Sequence, residues 1–142
     1  MMVVDASVAV KWFISEAGEE AAAEILNSRE HLIAPALIRM EVAGAIIRRF
    51  HEGHLSEKRA REGTQAWEVL LERRVMQLVP EAEIFDEAVQ MAFLLRHTLA
   101  DCLYLALAKR LDAHVITADG PMYERGSRSH SKMTFLAGVE RN

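Results

Sequence analysis

A single cysteine, Cys102, is all the thiol chemistry in this 142-residue chain. It can form no disulfide within the chain and no cysteine-based zinc site, and it fits a reducing, cytoplasmic setting. Only three prolines and seven glycines are present, which excludes a Pro/Gly-rich linker or low-complexity tract. Long apolar runs are missing too. No stretch approaches the roughly 20 residues of a membrane helix. The first apolar run is broken at once by Asp5 and has no basic segment before it, so neither a secretory signal nor a membrane partner is expected. Nor is there an excess of positive charge: 17 Lys and Arg stand against 21 Asp and Glu, for a net charge of −4. That excludes a polycationic coat for non-specific nucleic-acid binding. It does not exclude a nucleic-acid enzyme, because a cation at an acidic site reverses the local field. There is no HExxH motif, no cysteine–histidine zinc spacing and no glycine-rich phosphate loop.

What is present is a globular composition, 51% hydrophobic and 27% charged, of a length that suits one domain over residues 1–142. Short apolar segments at residues 2–4, 31–34, 76–79, 115–117 and 133–136 read as strands, the second ended by Pro35 and the third by Pro80. Between them, residues 7–13, 19–28, 36–50, 57–74, 84–96 and 99–111 read as helices. Ser56 is placed as an N-cap, and Ala60, Gly63, Trp67 and Leu70 share one face of the helix it starts. Strands alternating with helices predict an α/β fold: a three-layer α/β/α domain with a short-stranded, mostly parallel central sheet. A turn is expected at Gly120-Pro121, and the polar segment 124–132 is the expected mobile loop.

Four acids stand where acids are inconvenient. Asp5 ends the run Met2-Val3-Val4, and Asp119 follows Val115-Ile116-Thr117. Glu41 has Leu37, Ile38, Gly44 and Ala45 as its helical neighbours, with Arg48 at i+7, and Asp101 opens a very apolar helix. Taking a carboxylate into an apolar setting is costly unless it is paired or bound to metal. Four in one small domain suggest that they meet around a hard cation, which prefers oxygen ligands. Asp5 and Asp119 also lie at carboxyl ends of strands, where α/β sheets bind ligands.

Each acid has a simpler reading beside this one. Asp5 can cap the following helix, and Glu41 can face solvent on its own. Thr98 to Asp101 has the form of a capping box, and Asp119 can be a turn residue before Gly120-Pro121. Ser7 and Thr117 are candidate supporting residues, their hydroxyls orienting a carboxylate or holding a phosphate. Arg125, Arg128 and Lys132 are candidate phosphate contacts, or simply a solvated loop. His51 and His54 sit at a helix end, where histidine meets terminal carbonyls. His97 and His114 read as structural, and Trp12, Trp67 and Tyr104 as core or interface.

These residues carry a resemblance. Val3-Val4-Asp5-Ala6-Ser7-Val8, Leu37-Ile38-Arg39-Met40-Glu41, His97-Thr98-Leu99-Ala100-Asp101-Cys102-Leu103-Tyr104 and Val115-Ile116-Thr117-Ala118-Asp119 resemble, in order and spacing, the four acidic motifs of the PIN domain. Within it they resemble the VapC-like toxins of bacterial toxin–antitoxin pairs. Cys102 stands where those toxins more often have alanine, and Met122 or Tyr123 takes the place of their large apolar residue after the last acid.

The resemblance implies an endoribonuclease using Mg²⁺ or Mn²⁺. Asp5, Glu41, Asp101 and Asp119 would be its catalytic acids, with Asp5, Asp101 and Asp119 nearest the metal. It also implies an RNA substrate, a cognate VapB-like antitoxin whose C-terminal segment covers the site, and a homodimer. Trp12, Phe13 and Ile14 are expected to supply spare apolar surface for such partners. The alternatives are a non-catalytic RNA- or protein-binding module on the same fold, and another acidic-site phosphate-handling domain such as a receiver or a haloacid-dehalogenase-like phosphatase. The last needs a second Asp two residues after the first, where this chain has Ser7.

Overall fold

The computed structural model describes residues 1–141. Its strands are β1 (Met2–Val4), β2 (Leu32–Pro35), β3 (Met76–Val79), β4 (His114–Thr117) and β5 (Met133–Phe135). Its α-helices are α1 (Ala6–Ala9), α2 (Glu19–Leu26), α3 (Ile38–His51), α4 (Glu57–Glu72), α5 (Phe85–Leu95), α6 (Leu99–Leu111) and α7 (Gly120–Gly126). A 3₁₀ turn, Val10–Trp12, continues α1. The sheet is parallel throughout, in the order β3-β2-β1-β4-β5. Helices flank it to give the expected three-layer α/β/α domain, with an all-parallel sheet where the sequence suggested a mostly parallel one.

The chain order places the site. It runs outward from β1 through β2 to β3, then returns to the other side of β1 for β4 and β5. The reversal lies between β1 and β4, and crevices at such switch points, at the carboxyl ends of the strands, are where parallel α/β sheets bind ligands. The register pairs Val4 with Ile116, and the Asp5 N–H donates to the Ile116 carbonyl at 3.1 Å. The residues just after the two strands, Asp5 and Thr117 to Asp119, are therefore side by side.

The interiors of the three central strands are closed to water. Val3, Val4, Ile33, Ala34, Val115 and Ile116 are all buried, and α6 is buried continuously from Cys102 to Ala108. Strands covered on both faces read as unbroken apolar runs rather than alternating ones, which is why they were visible in the sequence. Trp67 of α4 is fully buried, and its Nε1 donates to the Arg39 carbonyl at 3.0 Å. Ala60, Gly63 and Trp67 face inward together, and Ser56 caps the helix by accepting from the Arg59 N–H at 3.2 Å.

Several expectations are corrected. Pro35 is the last residue of β2, not its terminator, in register with Val79. It sits at the strand end, where a missing N–H is tolerated. Gly120-Pro121 is the first turn of α7 rather than a free turn, because proline's fixed φ suits an opening helical turn. The segment 124–132, expected to be mobile, begins inside α7 and is tied down further on. His130 is buried, with Nε2 2.7 Å from the Ala113 carbonyl. Trp12, Phe13 and Ile14 are less free than expected: Ile14 is in the core, and Trp12 and Phe13 are half-buried against Trp67, Phe13 edge-on and Trp12 at a tilt.

No single helix among the described residues is long and apolar enough to cross a membrane. α5 and α6 pass that test only as a pair, and they meet at 116°.

Candidate functional site

The four acids come from four different elements and line one open cleft of about 570 Å³. Asp5 follows β1, Glu41 lies in the first turn of α3, Asp101 in the first turn of α6, and Asp119 caps α7. Ser7, Val10, Gly44 and Ala45 line it as well. Glu41, Gly44, Ala45 and Arg48 form one stripe of α3 at helical spacing. The middle of that stripe is small, and a Cβ built on Gly44 would meet nothing within 4 Å.

Asp5 is the deepest of the four, only 4% exposed. Its Oδ2 accepts from the Ser7 hydroxyl and, at 2.9 Å, from the Thr117 hydroxyl. The same two hydroxyls hold the opposite rim. Ser7 Oγ accepts from the Ala118 N–H at 2.9 Å, and Thr117 Oγ1 from the Asp119 N–H at 3.0 Å. Ser7 and Thr117 thus stitch the end of β1 to the end of β4. Burial, opposed by the Ser7 bond and aided by the negative charge of Asp101, raises the Asp5 pKa from an ordinary 3.8 to about 7.

Glu41 is fixed by a residue expected only in the core or at an interface. Tyr104, fully buried, donates its hydroxyl to Glu41 Oε1 at 2.6 Å. Burial raises the Glu41 pKa, the Tyr104 bond lowers it, and the Asp101 charge raises it again, leaving it above the usual value. Asp101 is also held high, by burial first, with His97 opposing and Asp119 adding to the rise. Tyr104→Phe is therefore expected to push the Glu41 pKa higher still, because it removes the bond that favours the charged form. A carboxyl-carbon NMR titration reads this directly, and an unchanged Glu41 midpoint would contradict the assignment.

The cap at Thr98 is real: its hydroxyl accepts from the Asp101 N–H at 3.2 Å. The Asp101 side chain, however, faces His97, with Oδ2 2.6 Å from Nε2. The contact is close, but its direction is not that of a well-aligned hydrogen bond. Arg125 Nη1 lies 2.9 Å from His97 Nδ1. Arginine only donates, so Nδ1 is the acceptor and the ring proton of the neutral tautomer sits on Nε2, toward Asp101. Asp119 likewise both lines the cleft and caps α7, accepting from the Met122 N–H at 3.0 Å. Capping and lining the site are compatible roles for one carboxylate.

Among the expected phosphate contacts, Arg125 is engaged with His97. Lys132 pairs with Asp112 at 2.9 Å, and Arg128 is exposed. None of the three lines the acidic cleft. The basic residues that do are Lys11, Arg48 and Arg49, together with the carboxylate of Glu16. Nothing in the chain marks these, or Tyr104 and His97, as site residues, and Arg48 is visible there only as the i+7 neighbour of Glu41. Tyr104 is one helical turn from Asp101 at i+3, and His97 directly precedes the cap of the same helix; that nearness along the chain was the available signal.

The donor set suits a hard divalent cation in its chemistry. All four side chains offer oxygen, and three of them are held above their ordinary pKa partly by one another's charge. Among the described residues no group of three or more His, Cys, Asp and Glu side chains stands close enough together to hold a metal ion as placed. An open acidic cleft of this kind matches Mg²⁺, which keeps several of its waters, better than a metal that needs an all-protein cage.

A comparison with curated proteins finds none that matches the chain. A scan against protein families matches residues 2–126 to the PIN domain, a span that contains all four acids and all but the last strand. The chain therefore belongs to the PIN-domain family, whose members are generally nucleases built around an acidic metal site.

Proposed function

We propose that the protein is an endoribonuclease of the VapC-like toxin type, dependent on Mg²⁺ or Mn²⁺, with Asp5, Glu41, Asp101 and Asp119 as its reacting acids. The observation that carries this reading is the convergence of four carboxylates from separate elements on one cleft at the sheet's switch point, with Asp5, Glu41 and Asp101 all held above their ordinary pKa. Such clustering of raised carboxylates at a cleft is a mark of function rather than of stability.

Asp5, Asp101 and Asp119 would hold the cation. When bound, it would supply positive charge to the phosphate oxygens and lower the pKa of a water for attack on phosphorus. Ser7 and Thr117 keep Asp5 in one orientation and fix the backbone of Ala118 and Asp119 beside it. Tyr104 holds Glu41 at the cleft wall, where it would orient the attacking water. Outward-facing Phe93 and Leu94 on α5 and Met40 on α3, each at least 75% exposed, supply apolar surface suited to a second copy or to a VapB-like antitoxin. A basic antitoxin side chain would be drawn to the acids by charge.

The test is cleavage of total bacterial RNA by the purified chain, compared in Mg²⁺, Mn²⁺ and EDTA, with 5′ ends mapped. Discrete metal-dependent cuts are expected. Asp101→Asn, which keeps the backbone N–H that Thr98 caps, is expected to remove them at least roughly 10²-fold while leaving the fold intact. Cuts that persist in EDTA or in the variant would sink the reading, and a folded protein that binds RNA without cutting it would favour a binding module.

A further inference from the structure

The acidic cleft has a basic wall, and that wall is already occupied. Glu16, in the loop before α2, accepts from Lys11 Nζ at 2.9 Å through Oε1 and from Arg49 Nη2 at 2.8 Å through Oε2. Lys11 is on the 3₁₀ turn that follows α1, and Arg49 is in the last turn of α3. The Lys11 side chain is only 8% exposed, and those of Glu16 and Arg49 about a quarter. Next to them Arg48 is 65% exposed, its nearest acid being Glu52 at 3.8 Å. Burial pushes the Glu16 pKa up, but the bonds from Arg49 and Lys11 outweigh it and hold the carboxyl below its usual value, so it is charged.

Two features make this more than a structural ion pair. First, Lys11, Glu16, Arg48 and Arg49 line the same cleft as the four acids. Second, one carboxylate bridges a lysine and an arginine with both of its oxygens, the pattern of donors that two oxygens of a phosphodiester would accept equally well. The wall has three cations to one anion in a chain of net charge −4. It is a local exception to the protein's overall sign, at the place where a polyanion has to lie beside carboxylates.

We propose that Lys11 and Arg49 form the seat for a backbone phosphate of RNA next to the scissile bond, and that Glu16 occupies this seat in the free protein as an internal competitor. The proposal rests on the nuclease reading for its substrate class. Arg48, beside the seat, contacts the same strand from the solvent side. RNA entry then exchanges one anion for another, and the protein avoids leaving two largely buried cations unpaired between turnovers.

The experiment is fluorescence anisotropy of a labelled 15-nucleotide single-stranded RNA in EDTA, where no metal-dependent cutting occurs, over a series of salt concentrations. Glu16→Gln keeps the shape and removes the charge, and it is expected to tighten binding by about 3–10-fold. Lys11→Met and Arg49→Met are each expected to weaken binding and to flatten the slope of log K against log salt by about 0.7, the value for one phosphate contact on a single strand. Arg49→Lys should restore part of the slope. The gain from Glu16→Gln should disappear when combined with Lys11→Met, and circular dichroism checks that each variant is folded.

Unchanged or weaker binding by Glu16→Gln, or an unaltered salt slope in both methionine variants, overturns the proposal. So does an equal gain for an acidic peptide of matched charge, which would assign the seat to a protein carboxylate. The cleavage assay separates the two levels. RNA cut by the wild type with no gain from Glu16→Gln removes only this seat. RNA neither bound nor cut by any variant removes the nuclease reading with it.

Discussion

Asp5→Asn is expected to abolish metal-dependent RNA cleavage and, in the absence of metal, to make the protein more stable. The two effects have one cause. The Asp5 carboxyl is 4% exposed, and burial is the largest influence on it, raising its pKa from 3.8 to about 7. A group whose folded-state pKa lies above its unfolded one binds its proton more tightly in the folded state. Its contribution to stability is therefore greatest below pH 4 and is lost as pH rises towards 7. Above pH 7 the protein carries a buried charge, and a gap of this size corresponds to ~4 kcal/mol at most.

Asparagine removes that charge and keeps an oxygen to accept from Ser7 and Thr117, while its amide can donate to the acids nearby. Urea unfolding in EDTA should show the variant more stable at pH 8 by roughly 1–4 kcal/mol, with the difference gone at pH 4. Cleavage should fall at least roughly 10²-fold, the scale of removing one charge-stabilising group from a hydrolytic site. A variant that still cuts RNA, or one less stable than the wild type at pH 8, would contradict the role given to Asp5. Wild-type Asp5 is thus a place where stability has been given up for function.

Much of the fold could be read from the chain because the sheet is parallel and covered. Val3-Val4, Ile33-Ala34 and Val115-Ile116 are buried on both faces, so each strand is a short apolar block rather than a subtle alternation. What escaped was chemistry that depends on neighbours. Pro121 looked like the end of a turn, yet it opens α7, because Asp119 supplies the cap that makes a helix start there. Phe13 looked like spare surface, and Trp12 like either that or core, because nothing in their own segment announces Trp67, more than fifty residues away.

The four acids stood out for a similar reason. Each is out of place in its local apolar context, and that misfit is legible without any contact. Their supports were not. Tyr104 reads as a core aromatic until Glu41 is placed against its hydroxyl, and His97 reads as structural until Asp101 lies 2.6 Å away. The basic wall was the least visible part. Lys11, Arg48 and Arg49 sit in ordinary helical positions, and only the fold brings Glu16 and the cleft to them. The sequence drew attention instead to the cationic loop with Arg125, Arg128 and Lys132, because clustered charge along a chain is easy to see and clustered charge in space is not.

The second large effect expected is a metal-induced rise in melting temperature that is strong at pH 8 and nearly absent at pH 5. With Mg²⁺ at about 100 times its dissociation constant at pH 8, linkage gives ~2.7 kcal/mol of stabilisation. For a chain of this length that is roughly 10 °C. Metal and protons compete for the same oxygens. With a pKa of about 7, Asp5 is mostly charged at pH 8 and carries its proton at pH 5. Protonation of this one group then weakens binding by about 10²-fold, since each pH unit below the pKa is a factor of ten. Glu41 and Asp101, raised in the same direction, add to the loss. At the same Mg²⁺ concentration the stabilisation at pH 5 falls to ~0.4 kcal/mol, a degree or two. Thermal melts with and without Mg²⁺ across pH 5 to 8 measure this. A shift of equal size at both ends, or one kept in full by Asp5→Asn, would mean that the ion binds elsewhere on the protein. The expected pattern also turns the pH dependence of the metal-free chain around. Without metal, rising pH destabilises the fold through Asp5. With metal, the charge that was a liability becomes a ligand, and the stability lost to burial returns as binding.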